Sequence, residues 1–443
     1  MNKIVIVALI IVVVLASSIA YYFVTDGTYT SRPQVSQYTI EYPLRQSTSI
    51  PNAIAIDSGG NVWFTLMNIS SLAELDPLTG VVHQYRIPTG ANNGTTSWGM
   101  VVDNSRGLVW FTEQATNSVW SFNIHTHKFM RYELKTLYGF PFGIALDDQG
   151  DVWFTELFGN KIGEITTNGS MTEIPIPMQG YLEPSGIAVG PEGKIWFTLP
   201  GVDSIGAYYD GKFAIQNLTG FVELPVGISF DSQGNIWMTQ HGPSFISKFN
   251  PTTGAFETIS TTIPPEGSSL PYFDHVDQNG NVWFNEHNGN AMSEYFPSNN
   301  TLIEYFIPTR VAVMGNISGM LTSALSTAGV PWFTEFFAGK VGTINTTVPL
   351  DLRLSLLNYT QPILISQNSS VKLQLSLSGS AATSATVKAE VGNFSSDISY
   401  NYSKLDPSIT LTTGGSKIGV YFVTISAITT ALSYSRIIEL EVT

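Results

Sequence analysis

The chain contains no cysteine, so no disulfide can stabilise it. Only 12% of its 443 residues are charged, about half of the usual share. Positive charge is especially scarce, with 20 Lys and Arg against 34 Asp and Glu and a net charge of −14. A chain so poor in basic residues lacks the positive surface that nucleic-acid binding requires, and we expect no nucleic-acid partner. The sequence also lacks a Ser-His-Asp nucleophile arrangement, a phosphate-binding loop and Cys/His metal spacing.

One short phrase recurs seven times: Gly, any residue, an apolar residue, Trp, Phe or Met, then Thr or Asn. The copies are GNVWFT (60–65), GLVWFT (107–112), GDVWFT (150–155), GKIWFT (193–198), GNIWMT (234–239), GNVWFN (280–285) and GVPWFT (329–334). Successive tryptophans are 41 to 49 residues apart. A period in the forties with several short strands per unit is typical of a β-propeller blade, and it predicts seven blades.

Each repeat contains segments for four strands. An apolar segment and an Asp/Asn/Gly-rich turn precede the Trp phrase, as in the stretch 143–150, which predicts a hairpin. A third segment such as 161–167 follows, and a fourth such as 172–177 ends in Pro. The seventh repeat lacks its fourth segment, whereas a matching one stands alone at 37–43. We therefore expect residues 37–43 to pair with 340–346 and close the ring.

Two further segments flank the repeats. Residues 350–443 lack the Trp phrase and alternate apolar and polar residues, which predicts a small immunoglobulin-like β-sandwich without the Cys…Trp…Cys pattern. Residues 4–24 are apolar apart from Ser17 and Ser18, which predicts a hydrophobic helix. The expected fold class is all-β, with a transmembrane anchor or signal peptide at 1–25, a seven-bladed propeller at 36–348 and the sandwich at 350–443.

The N-terminal segment predicts export. Lys3 precedes it, which favours a cytoplasmic N-terminus and a single-pass membrane protein with an extracellular C-terminal part. The alternative is a secreted protein whose signal peptide is cleaved near residues 18–20. Export makes Asn-x-Ser/Thr sequons candidate glycosylation sites, and a low-charge, Ser/Thr-rich chain of this kind suggests an archaeal cell-surface glycoprotein. The eleven sequons are at Asn68, Asn93, Asn168, Asn217, Asn299, Asn316, Asn345, Asn358, Asn368, Asn393 and Asn401.

The repeat register also predicts where a site would lie. The residue after each WFT phrase and the residue that opens the preceding strand should meet on one face, near the central channel. The first set supplies four glutamates, and carboxylates with imidazole around a funnel predict a magnesium or calcium site. The candidate metal ligands are Glu113, Glu156, Glu286, Glu335 and His287. The candidate ligand-binding residues are Trp98, Phe142, Glu183, His241 and Tyr272.

These assignments have structural alternatives. The glutamates could instead satisfy the N–H groups of neighbouring loops. The aromatic side chains that open the strands could stack on a sugar or another flat ligand, or they could simply fill the channel.

The stretch FPFGIALDDQGDVWFTELFGNKIGEI (140–165) resembles the repeat of the streptogramin B lyase (virginiamycin B lyase) family of seven-bladed propellers. The broader relatives are gluconolactonase/SMP-30-like and NHL-like propellers. The resemblance implies a magnesium-dependent lyase that uses rim Glu and His residues, with histidines opening the first strands of the last two blades. This chain has Tyr272 and Leu321 there, so the glutamates persist but the family's general bases do not.

Two classes of function follow. The first is a membrane-tethered recognition module that binds an extracellular glycan, peptide or envelope protein. The second is a magnesium- or calcium-dependent lyase or lactone hydrolase that uses the glutamates. The missing histidines and the appended sandwich favour the first.

Overall fold

Seven antiparallel four-stranded sheets form the body of the protein. The computed structural model describes residues 27–89, 95–218, 222–261, 268–311, 319–357, 359–391, 398–404, 406–414 and 418–443, so the predicted N-terminal helix lies outside the described residues. The first segment contains β1 (Gly27–Thr30), β2 (Gln34–Val35) and β3 (Thr39–Pro43). Blade one has β4 (Pro51–Ile56), β5 (Val62–Leu66), β6 (Ser71–Leu75) and β7 (Val81–Arg86); blade two has β8 (Met100–Asp103), β9 (Leu108–Glu113), β10 (Ser118–Asn123) and β11 (Lys128–Glu133).

The next blades repeat this order. Blade three has β12 (Pro141–Leu146), β13 (Val152–Glu156), β14 (Lys161–Ile165) and β15 (Met171–Pro175); blade four has β16 (Ile187–Val189), β17 (Ile195–Leu199), β18 (Ser204–Tyr209) and β19 (Lys212–Asn217). Blade five has β20 (Pro225–Phe230), β21 (Ile236–Gln240), β22 (Phe245–Phe249) and β23 (Phe256–Ser260); blade six has β24 (Pro271–Val276), β25 (Val282–Glu286), β26 (Ala291–Phe296) and β27 (Thr301–Phe306). Blade seven has β28 (Met320–Leu325), β29 (Pro331–Glu335) and β30 (Lys340–Ile344), with β3 as its fourth strand.

The first strands of the seven blades surround a central channel, each packed against its two neighbours, with β28 against β4. Strand β3 pairs with β30 from Thr39 opposite Ile344 to Pro43 opposite Lys340, which is the pairing expected from the repeat. The ring is therefore closed by a strand from the start of the chain. Beyond this, β1 adds a fifth strand to blade one and β2 adds one beside β3. The only helical elements in the described ranges are the three-residue 3-10 turns Met67–Ile69, Pro191–Gly193 and Pro200–Val202.

The threonine of the WFT phrase links each blade to the next. In blade three, Thr155 Oγ1 accepts a hydrogen bond from the Gly143 amide at 2.9 Å and donates to the Ser185 carbonyl of blade four at 2.7 Å. The same pair of bonds recurs at the threonines of blades two, four and five (Thr112, Thr198 and Thr239). Buried backbone groups are thereby satisfied between blades, which explains why the phrase ends in a hydroxyl residue.

The tryptophan of the phrase has a polar partner as well as an apolar one. Its indole N–H donates to the aspartate of the preceding turn in three blades: Trp63 to Asp57 at 3.0 Å, Trp153 to Asp147 at 2.9 Å and Trp237 to Asp231 at 3.3 Å. The rings themselves are buried between blades. The repeated Asp, Gly and Trp thus fix the hairpin and fill the blade interface with the same residues.

Residues 353–442 form two sheets over one apolar core. One sheet contains β31 (Arg353–Leu357), β33 (Ser370–Ser378), β36 (Ser408–Thr413) and β35 (Ile398–Ser403). The other contains β34 (Thr386–Val391), β37 (Gly419–Ile428) and β38 (Leu432–Val442), with β32 (Ile363–Ile365) parallel to β38. Buried side chains of both sheets share one core, as a sandwich requires. The immunoglobulin-like assignment of this unit remains a prediction.

The C-terminal sheets are continuous with the propeller. Strand β38 pairs with β27, from Thr301 opposite Arg436 to Tyr305 opposite Leu432, so blade six and the C-terminal sheet form one continuous sheet. Their apolar core is also shared, because Trp283 and Tyr305 of blade six pack in the same cluster as Leu432 and Ile438. The outer strand of blade six offered an unpaired edge, and β38 covers it.

No helix among the described residues is long and apolar enough to span a membrane.

Candidate functional site

Aromatic and imidazole rings converge where the channel meets the face of the propeller on which the first strands begin. The Trp98 and Phe142 rings stack with centroids 5.4 Å apart, and Tyr272 packs edge-on against Trp98 at 5.8 Å. His241 and His287, one residue beyond the strand ends of blades five and six, contact Tyr272 at 4.7 and 4.5 Å. We call these five residues the mouth cluster. Four of the five predicted ligand-binding residues are therefore in it.

The mouth cluster is only partly open. Phe142 and Tyr272 are buried, so they fill the channel, whereas Trp98, His241 and His287 keep some exposure. Phe273, which the sequence analysis did not select, closes the cluster from below at 4.8 Å from Tyr272. The sequence does mark this residue, because blades two to five have glycine at the position that Phe273 occupies in blade six.

The two histidines form a neutral pair. Their ring centroids are 5.0 Å apart. His241 Nδ1 lies 3.3 Å from the Pro271 carbonyl, and His287 Nε2 lies 3.4 Å from the Leu321 carbonyl. Burial lowers the pKa of His241 to about 4, and burial together with His241 lowers the pKa of His287 well below its usual value. Both rings are therefore uncharged at neutral pH.

The four glutamates do not meet. They lie at the ends of second strands, one strand away from the axis, and all four are fully buried. Glu113 shows the consequence most clearly. Its carboxylate accepts hydrogen bonds from the Thr96 and Ala115 amides at 2.9 and 3.0 Å, and from the amide and hydroxyl of Thr116. Burial raises the pKa of Glu113, and these donors oppose the rise.

Blades three and seven each have a lysine beside the glutamate, with a similar set of partners. Lys161 is directly opposite Glu156 and reaches Thr136 at 2.6 Å and Glu173 at 3.4 Å. Lys340 is likewise opposite Glu335 and reaches Thr309 at 2.8 Å and Glu41 at 3.3 Å. In each case the threonine belongs to the loop that enters the blade, so the network ties that loop to the third and fourth strands.

Glu156 has few hydrogen-bond donors around it. Neither of its oxygens accepts a hydrogen bond of normal geometry from the part of the chain that the structure describes. Burial, and then the charge of Glu173, raise the pKa of Glu156 to about 7, while Thr136 and Lys161 act in the opposite direction.

Blade six has Ala291 where blades three and seven have lysine. Glu286 therefore has no lysine directly opposite it, and a second buried acid, Glu304, lies close by. The Ser293 hydroxyl donates a hydrogen bond to Glu286 at 2.5 Å. Burial, followed by the negative charge of Glu304, raises the pKa of Glu286 well above its usual value.

These surroundings do not fit a magnesium or calcium site. The oxygens of Glu113 already have backbone and hydroxyl donors, and Glu286 accepts from Ser293 beside a second acid. His287 is in the mouth cluster and not with the glutamates. Across the described ranges, no three His, Asp or Glu side chains are grouped so that they could hold a metal ion. Glu113 instead satisfies the N–H groups of the loops around it, as the structural alternative for these glutamates expects.

Glu183 also lies outside the mouth cluster. It precedes Pro184 with a φ of 53°, as Phe140, Leu224 and Leu270 precede their own prolines with φ between 51° and 59°. Its unusual backbone is thus a feature of the repeat and not a sign of a site.

The predicted sequons differ in accessibility. Those at Asn168, Asn217, Asn299, Asn368 and Asn401 are exposed. Asn68 and Asn345 are half-buried, and their side chains bond to the Ile50 and Thr347 amides. Asn93, Asn316, Asn358 and Asn393 lie outside the described residues.

A second apolar feature lies on the same face as the mouth cluster. Leu137, Tyr138 and Tyr181 are 84%, 85% and 80% exposed, and Phe158 is 46% exposed. All four are in loops at the end of the blades where the first strands begin, and the Phe158 ring rests on Phe140 at 4.8 Å. We call Leu137, Tyr138, Phe158 and Tyr181 the blade-three patch. Their spacing follows no repeat pattern, so no feature of the sequence marks them as a group.

The fold and the mouth cluster define the class of this protein: a seven-bladed propeller whose channel opening is lined by aromatic and imidazole side chains. The sequence model of the virginiamycin B lyase family matches residues 37–328, and the chain belongs to that family. A comparison with curated proteins finds no significant match.

Solved structures agree with this assignment. A streptogramin B lyase is 27% identical with a TM-score of 0.62, over 70% of this chain and 97% of that one. A catalytically inactive virginiamycin B lyase from Staphylococcus aureus with quinupristin is 24% identical with a TM-score of 0.60, over 69% of this chain and 98% of that one. The extracellular domain of a hybrid two-component system protein from B. thetaiotaomicron is similar in fold, at 14% identity and a TM-score of 0.56, over 91% of this chain and 60% of that one.

Proposed function

We propose that this protein is a recognition module of the cell surface that binds a ligand through the propeller face carrying the mouth cluster. The observation that carries the proposal is the mouth cluster itself. Trp98 is stacked on Phe142 yet still partly exposed, and Tyr272 lies between this stack and two uncharged imidazoles. A rigid apolar platform with few polar groups suits a flat or apolar part of a ligand.

The blade-three patch favours a peptide or protein ligand over a glycan. Soluble proteins rarely expose a group of large apolar side chains without a partner. Two tyrosines, a phenylalanine and a leucine at one site are the residue types that dominate protein interfaces. The patch and the mouth cluster lie on one face, so one extended ligand could contact both.

The surface location is part of the proposal. It is supported by the apolar segment 4–24, by the sequons and by the exposure of five of their asparagines. The low-charge, Ser/Thr-rich composition supports an archaeal envelope as the location. Expression in the native host, followed by glycopeptide mass spectrometry and protease accessibility on whole cells, would test location and glycosylation together.

A lyase or lactone hydrolase is the second candidate, and the histidine pair is the observation that favours it. A neutral imidazole at an open mouth can accept a proton. His287 lies beside Leu321, one of the two positions where the family resemblance implies a histidine. The buried glutamates do not fit the magnesium that such a reaction uses in the family, so no step is assigned to them.

One experiment separates the two candidates. Quinupristin, present in the crystal structure of the Staphylococcus aureus relative, serves as the probe. Calorimetric titration should show saturable binding, weakened at least tenfold by His287→Ala and little changed by His83→Ala, which is far from the mouth. Mass spectrometry after incubation with magnesium should show intact quinupristin. A ring-opened product that requires His287 would replace the binding proposal with the lyase, and a lack of binding would contradict a ligand site at the mouth.

A further inference from the structure

A cavity of about 650 Å³ lies in the central channel, between the mouth cluster and the opposite face of the propeller. We call it the channel cavity. First strands of all seven blades line it, and Trp98 and Phe273 form its inner end. Lining residues near the turns after the first strands, such as Asp277, Gln278 and Thr327, mark its opening on the opposite face. Its volume is within the range of small-molecule sites.

The wall of the channel cavity has an apolar side and a polar side. Blades one to four contribute Ile54, Met100, Ile144 and Ile187 at one repeat position, and blade five contributes Ile228. Blade six has Asp274 there, followed by His275, and blade seven has Ser323. Isoleucine in three consecutive blades shows that the scaffold does not need an acid at this position. The departure in blade six therefore calls for another explanation.

Asp274 is the unusual member of this wall. It is only 4% exposed. The Ser229 hydroxyl donates to its Oδ2, and its Oδ1, which packs against Gly227, has no hydrogen-bond partner in the described part of the chain. A buried carboxyl with one unsatisfied oxygen is costly unless a donor completes it. Burial raises the pKa of Asp274 to about 7.

Two other side chains of the wall, His275 and Asp277, add acceptors to it. His275 Nε2 is 2.9 Å from the Ser323 carbonyl, which makes Nε2 the donor and leaves Nδ1 as an acceptor. Asp277 adds a second carboxylate near the opening. None of the described lining residues is Lys or Arg. The charge complement of such a wall is a cationic donor on an apolar molecule.

We propose that the channel cavity binds a small apolar amine, with its ammonium group at Asp274 and Ser229 and its hydrocarbon part against the isoleucines of blades three to five. The amine enters from the face opposite the mouth cluster. Trp98 belongs both to the mouth cluster and to the inner end of the cavity, but the ammonium site at Asp274 and Ser229 uses no residue of the mouth cluster, so either proposal can fail without the other.

The test uses the full chain and a matched set of probes at pH 8, above the pKa of Asp274. The probes are 2-phenylethylamine, 2-phenylethanol and 3-phenylpropanoate, which share a ring and differ in the charge of the head group. Calorimetry should give a Kd for the amine at least tenfold below that of the alcohol, with the propanoate weakest. Equal affinities for amine and alcohol, or no binding of the amine, would overturn the proposal.

Two variants assign the binding to the cavity. Asp274→Ile restores the residue of blades three to five and should remove the preference for the amine without lowering the melting temperature. Asp274→Asn, which keeps the shape, should weaken amine binding at least fivefold and serves if the first variant is poorly folded. His287→Ala changes the mouth but does not line the cavity, so amine affinity should stay within twofold. Unchanged amine affinity in both Asp274 variants would contradict the site.

Discussion

The threonine that ends the WFT phrase provides the sharpest test of how the blades are held together. Thr155 and Thr65 occupy the same repeat position and both are fully buried. Thr155 links the Gly143 amide to the Ser185 carbonyl, whereas the Thr65 hydroxyl has no hydrogen-bond partner within the described ranges. Valine has the same shape as threonine without the hydroxyl. The two Thr→Val substitutions therefore differ in hydrogen bonding and little else.

The expected free energies follow from these contacts. Thr155→Val leaves one buried amide and one buried carbonyl without a partner, which costs about 1–3 kcal/mol for each group. Relaxation of the loop reduces the total, and we expect a loss of about 2–4 kcal/mol in the free energy of unfolding. Thr65→Val removes a buried hydroxyl that had no partner, so we expect no loss and a gain of up to about 1 kcal/mol.

Guanidinium unfolding followed by tryptophan fluorescence measures the difference. The midpoint of Thr155→Val should fall well below that of the parent, while the midpoint of Thr65→Val should equal or exceed it, with similar slopes for all three proteins. Equal destabilisation by the two substitutions would show that the hydroxyl bridge does not hold the blades together. Packing around the methyl groups would then be the better explanation.

Two further predictions concern the buried acids and the C-terminal sheet. Glu156→Gln should raise the free energy of unfolding by about 1–3 kcal/mol at pH 8 but leave it nearly unchanged at pH 5. Folding raises the pKa of Glu156 to about 7. The protonated carboxyl therefore stabilises the fold fully below about pH 4.5, and this contribution is lost as the pH rises through 7. The exposed Glu133→Gln is its control, and an equal effect of Glu156→Gln at both pH values would refute the burial argument. Calorimetry should show one unfolding transition for the propeller and the C-terminal sheets together. Ser435 lies opposite Leu302 in the β27–β38 pairing, and Ser435→Pro should split this transition into two. Two transitions in the parent protein would contradict the coupling.

The repeat predicted the fold well because the same residues solve the same packing problem in every blade. Trp, Phe and Thr recur at fixed offsets, and a missing fourth strand in repeat seven could only be supplied by residues 37–43. The same register brought Trp98, Phe142 and Tyr272 together, since residues that open successive first strands must ring the axis.

The repeat does not encode side-chain orientation or long-range strand pairing. Glu113, Glu156, Glu286 and Glu335 share a level in the ring, but a second strand lies one layer away from the axis, and its side chains alternate between the two faces of the blade. The repeat position of a residue predicts its height along the propeller axis but not the direction in which its side chain points. The β27–β38 pairing joins residues far apart in sequence, and no short-range pattern encodes it.

Blade six is where the molecule departs most from its own repeat. Phe273, Asp274 and His275 replace the Gly-Ile-Ala or Gly-Ile-Ser of blades three to five, and Asn285 replaces the bridging threonine. Asn285 keeps the scaffold intact, because its Oδ1 accepts from the Phe273 amide and its Nδ2 donates to the Met320 carbonyl, both at 3.0 Å. The ring therefore closes in the same way despite the changes. Since three other blades show that Gly-Ile-Ala or Gly-Ile-Ser suffices for closure, closure of the ring does not explain the side chains of Phe273, Asp274 and His275.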